Sequence, residues 1–190
     1  MYNAPFFGGQ SKIVAKKSLT RNCLCQRHNS SLSIYDDEAI NFGMALKYCH
    51  DRSFKYGDSA KKRQSIHTKH IDTDRFYRWY LKTYLGIIDF FSYESALDKD
   101  VLAALVFSGK KINDYLDLKI SMSIKEDFQV KEVISVAPLE SQEQIVGMQV
   151  ELYGIRLHGL FFDQPKCKQK PIRIKFRDRN KNLLSVIKFS

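Results

Sequence analysis

No aspartate, glutamate or histidine precedes Cys25, and residues 1 to 35 hold no acid at all. A reaction that needs a general base or a carboxylate therefore draws neither from the first 24 residues. No apolar run approaches the roughly 20 residues of a membrane-spanning helix. The opening stretch, MYNAPFFGGQSKIVAKK, has an aromatic pair and Gly8-Gly9 where a secretory signal has a continuous apolar region. A cytoplasmic protein is expected. No Lys-Ser/Thr follows Gly8-Gly9 at phosphate-loop spacing, and no Ser-His-Asp or Cys-His arrangement has local support. Cys-x2-Cys is absent too. The four cysteines are Cys23, Cys25, Cys49 and Cys167. Cys23 and Cys25 are too close to bridge comfortably, and nothing points to an oxidising compartment, so all four read as reduced unless a metal holds them.

What is present is a folded, basic chain. Its 190 residues suit one domain, or a small domain with an appendage, with a real core, and 44% apolar and 13% aromatic content excludes a disordered composition. The 31 Lys and Arg against 21 Asp and Glu give a net charge of +10. Residues 47 to 82 carry ten bases and four acids, and residues 166 to 190 carry nine bases and one acid. Between them, residues 83 to 165 carry seven bases and thirteen acids. Basic segments gathered on one face opposite an acidic middle favour a polyanion. The alternative is ordinary solvated surface charge.

The apolar spacing predicts helices first and strands after. Asp36 is placed to cap a helix to about Cys49, with Ala39, Phe42, Leu46 and Cys49 on one face. Residues 51 to 71 show no period and read as a polar basic loop. DTDRFYRWYLKTYLGIIDFF has Asp72 or Thr73 as cap. Its stripe of Phe76, Tyr80, Thr83, Ile87 and Phe90, widened by Trp79 and Tyr84, makes core a better reading than base stacking. A shorter helix spans Asp98 to Phe107. Beyond Gly109 the period becomes two: Leu118 to Ile124, Val146 to Leu152, Ile155 to Phe161 and Ile172 to Phe176, with 128 to 136 and 183 to 189 as further strands. The expected fold is α+β: an arm and knuckle-like loop over 1–35, helices over 36–108 and an antiparallel meander with one wet face over 109–190, the last two packing as one unit.

The stretch NCLCQRHNSSLSIYDDEA carries the one partial metal pattern. Cys25 and His28 stand as in half of a zinc knuckle, but zinc wants four ligands. The other reading is that Cys25 packs, His28 caps and Asn29 turns the chain. His67 and His70, with Asp72, form a weaker metal candidate; Asp72 as helix cap competes with it. The same stretch resembles the closing half of an HNH-type zinc knuckle. It is similar to a set of uncharacterised bacterial proteins with a cysteine, two residues, His-Asn, Leu-Ser and an Asp opening a helix. RFYRWYLKTYLGIIDF is similar to their aromatic-rich Arg-Trp-x-Leu-Lys-Thr helix.

The resemblance covers residues 20 to 90 and implies HNH-like nuclease or DNA-binding ancestry, with zinc at Cys25 and His28. HNH enzymes place a Cys-x2-Cys knuckle and an acid-His or His-His pair upstream, and the leading histidine is the general base. This sequence has none of these before Cys25. The expectation is therefore a degenerate or truncated HNH-like protein that binds nucleic acid. Its phosphate contacts are Lys16, Lys17, Arg21, Arg27, Lys61, Lys62, Arg63 and Lys69. An HNH-type endonuclease whose first knuckle is missing from this sequence is the enzymatic alternative. A protein-interaction module is the third, and a sheet face bearing Lys119, Lys125, Arg173 and Lys175 suits it as well as the first.

Overall fold

A computed structural model describes residues 26–55, 65–108, 110, 112–122, 135–141, 144–162, 164, 171–177 and 183–190. The first helix, α1, spans Gln26–Lys55 and so begins ten residues before the expected cap at Asp36. Leu32 is buried and extends the apolar face backwards, so that Leu32, Tyr35, Ala39, Phe42, Leu46 and Cys49 follow at three- and four-residue steps. The serines that read as loop are accommodated inside the helix, where the Ser33 hydroxyl donates to the Ser30 carbonyl at 2.8 Å. Asp36 caps nothing. It meets Lys82 at 2.6 Å and joins α1 to the next helix.

The expected loop over 51 to 71 is corrected at both ends. Helix α1 runs on to Lys55, and His67–Ile71 forms strand β1. Helix α2, Thr73–Phe90, starts where the sequence places it, with the Asp72 carboxylate accepting from the Arg75 N–H at 3.0 Å. Its buried face is Phe76, Tyr77, Tyr80, Leu81, Tyr84 and Ile88, rotated from the predicted stripe so that Thr83, Ile87 and Phe90 are half-buried. Helix α3, Lys99–Phe107, is capped by Asp98, which accepts from Asp100 N–H at 2.9 Å and Val101 N–H at 3.3 Å.

Six strands follow: β2 Leu116–Met122, β3 Ser135–Ser141, β4 Gln144–Leu152, β5 Ile155–Phe161, β6 Arg173–Arg177 and β7 Leu183–Phe189. They do not form one meander. Strands β2, β5, β4 and β3 make a four-stranded antiparallel sheet, and β1, β7 and β6 make a separate three-stranded sheet. Strand β1 lies parallel to β7, from His67 opposite Ser185 to Ile71 opposite Phe189. The α+β class stands, with two sheets in place of one. The β4–β5 hairpin closes on Tyr153 and Gly154, both at positive φ (49° and 71°), as a two-residue turn between right-twisted strands requires.

Helix α2 ties the two sheets together. Phe76 packs on Phe42 of α1 and Phe189 of β7, with ring centroids 4.8 and 5.3 Å away. One turn on, the Tyr80 hydroxyl points between the carbonyls of Met148 and Leu157 in β4 and β5. Tyr84 donates to the Ile145 carbonyl at 3.0 Å. Among the described residues, no helix is long and apolar enough to cross a membrane.

Candidate nucleic-acid interface

Side chains alternate across a strand, so the register fixes which face each residue occupies. In the three-stranded sheet, Ile174 and Phe176 of β6 and Ser185, Ile187 and Phe189 of β7 are buried on the side that α1 covers. Arg173 and Lys175 take the other side and are exposed, and Arg177, past an irregularity in the register after Phe176, is exposed too. Lys188 of β7 lies directly opposite Arg173, and His70 of β1 lies opposite Lys188. One row across this outer face thus reads Arg173, Lys188, His70. The next reads Lys175, the buried Val186, and Thr68. None of the three strands contains an acid.

The outer face of the four-stranded sheet is different. There Arg156 pairs with Glu151 at 2.7 Å and Lys119 with Asp117 at 3.4 Å. Like charges directly opposite one another destabilise a sheet. One sheet neutralises its cations and the other stacks Arg173 against Lys188. Among the described residues, no ion pair holds Arg173, Lys175 or Lys188.

A second cluster lies where α1 passes the β1 edge. The helix runs antiparallel to the strand. The Glu38 carboxylate accepts from the Asp72 N–H at 2.9 Å, Tyr48 meets His67, and Arg52 donates to the Ser65 carbonyl at 2.9 Å. The Tyr48 hydroxyl shares a hydrogen bond with His67 Nδ1 at 2.8 Å, and Ser65 Oγ shares one with Nε2 at 3.1 Å. Lys69 reaches back over the Tyr48 ring, its Nζ 4.8 Å from the centroid. Behind this corner, Cys49 is fully buried. Burial pushes its thiol pKa up, against smaller lowering effects from Ser185, Lys69 and Arg52. It is a core thiol, not an activated one.

The predicted site residues divide. Lys16, Lys17, Arg21, Cys25, Lys61, Lys62 and Arg63 lie outside the described residues. Arg27 and His28 fall in the first turn of α1, which is helix where a capped turn or knuckle loop was expected. Lys69 is exposed at the sheet edge. His67 and His70 are three apart on a strand and so face opposite sides, while Asp72 is occupied as the α2 cap. That trio is not brought together. Among the described residues, no group of three or more His, Cys, Asp or Glu side chains is placed to hold a metal ion. Lys119 and the pair Arg173 and Lys175, expected on one sheet, stand on different ones, and Lys125 is outside the described residues. The Tyr48–His67 pair carried no sequence signal, because nothing local tells that residues 48 and 67 meet. No family model, curated protein or solved structure matches this chain.

Proposed function

We propose that this protein binds nucleic acid without cleaving it, through the outer face of the three-stranded sheet. The observation that carries the reading is the outer face of Arg173, Lys175, Lys188 and His70, on three strands that contain no acid, beside a second sheet in which Arg156 and Lys119 are paired. A polyanion removes the repulsion between opposed cations and releases its own counterions. Such contacts give affinity with little choice of sequence. The basic residues Lys16, Lys17, Arg21, Arg27, Lys61, Lys62, Arg63 and Lys69 add to the attraction by their charge. The test is binding of a labelled oligonucleotide at low salt by the full chain and by Arg173→Glu/Lys175→Glu/Arg177→Glu. Loss of at least tenfold in affinity is expected. Absence of binding by the unmodified chain, or equal binding by the variant, refutes the reading.

A further inference from the structure

We infer that the nucleic acid is single-stranded, and that an unpaired base stacks on Tyr48 at the corner between α1 and β1. The inference rests on the nucleic-acid reading above. The first argument is the path a ligand must take. Lys69 lies on the α1 side of the three-stranded sheet and His70 on the outer side, one residue apart at the edge strand. Successive strand residues are about 3.3 Å apart. A ligand that meets both Lys69 and the outer row must turn over the sheet edge within that step. Duplex DNA, with a persistence length of about 150 bp, does not bend over such an edge. A single strand does.

The second argument is the corner itself. Tyr48 is 37% exposed, and Met44, one turn before it on α1, is 63% exposed. Proteins that hold single strands pair such an aromatic platform with cations for the backbone. The Tyr48 ring already attracts a cation, Lys69. An incoming base replaces the ammonium on the ring, and the released Lys69 meets the adjoining phosphate. The ring is held for this by its bond to His67, which Ser65 fixes in turn, with Arg52 on the Ser65 carbonyl. A platform fixed in advance loses little freedom on binding. Asp51, one turn beyond Tyr48 and 66% exposed, opposes the ligand with a carboxylate that lies 3.6 Å from His50.

The experiment uses the full chain and fluorescence anisotropy with a 20-nucleotide oligo-dT, its oligo-U counterpart, and a 20-base-pair duplex at equal salt. At least one single strand is expected to bind tenfold or more tightly than the duplex. Tyr48→Ala should weaken that binding at least fivefold, while Tyr48→Phe, which keeps the stacking ring but loses the bond to His67, should weaken it by clearly less. Asp51→Asn should tighten it. Circular dichroism shows whether each variant is folded. Duplex bound as tightly as either single strand overturns the inference and leaves the nucleic-acid reading standing. So does a folded Tyr48→Ala with unchanged affinity, or, should that variant unfold, an Asp51→Asn that binds no tighter. Failure to bind any of the three overturns both.

Discussion

Arg78 is the residue whose chemistry is most completely used. It sits on α2 at 4% exposure, and its five N–H donors find five acceptors. Nε and Nη2 reach the two Asp74 oxygens at 2.6 and 3.2 Å, Nη1 reaches the Leu105 carbonyl and that of Val106 at 3.2 Å, and Nη2 reaches the Lys110 carbonyl at 2.7 Å. Two of these close the carbonyl end of α3 at Leu105 and Val106, where orphan acceptors and the helix dipole favour a cation, and the bond to Lys110 holds the chain just beyond it. Lysine has the charge without the fork. Arg78→Lys should therefore cost about 2 kcal/mol and Arg78→Ala about 3–4 kcal/mol, read from urea midpoints. A lysine variant as stable as the parent would show that charge alone suffices. Gly159 is the complementary case, a side chain that must be missing. A Cβ there would collide with the Tyr80 ring and lie 3.0 Å from Leu116 Cδ1. Gly159→Ala should cost about 1–3 kcal/mol, and clearly less in a Tyr80→Leu background, which a double-mutant cycle measures.

Among the elements, α2 carries three buried phenols that make stability depend on pH. Burial raises the pKa of the Tyr77, Tyr80 and Tyr84 phenols above their usual value of 10.0. Below that value both folded and unfolded chains are protonated, and this contribution to stability is fully present. Above it the unfolded phenols ionise first, so stability falls as pH rises toward the folded values. Three such groups give a slope of up to about 4 kcal/mol per pH unit. Urea midpoints between pH 9 and 11 should show it, and Tyr77→Phe should lower the slope by up to about 1.4 kcal/mol per pH unit. Helix α2 was also legible in the sequence. Asp72 and the aromatic spacing announce it, as Asp98 announces α3 and alternation announces β4, β5 and β6. Strand β1 was not, because HTKHI has no apolar alternation and its partner begins at Ser185. Its pairing is set at the far end of the chain, beyond any local pattern. The start of α1 was hidden for a different reason. Ser30, Ser31 and Ser33 have turn chemistry, and only tertiary burial of Leu32 makes them helical.

At the scale of the whole molecule, the charge pattern written along the sequence becomes a difference between two sheets. Strands β2 to β5 fall within the acidic middle, residues 83 to 165, and their cations find carboxylates. Strands β6 and β7 come from the tail with nine bases and one acid, and β1 from the basic segment over 47 to 82. The parallel pairing of β1 with β7, across a connection that holds α2, α3 and the whole four-stranded sheet, brings those two basic segments into one sheet. The consequence is measurable as a salt slope. For single strands log Kobs falls with log salt at about 0.7 per phosphate neutralised. Removing Arg173, Lys175 and Arg177 as contacts should therefore flatten the slope by about 2, whatever the sequence of the oligonucleotide. Reversing Lys119 and Arg156 changes the net charge by four units but touches the sheet whose cations are already paired. That double variant should move the slope by less than about 0.5 if docking is local to one sheet. Equal flattening by both variants would mean that attraction follows net charge alone and that the three-stranded face is no interface.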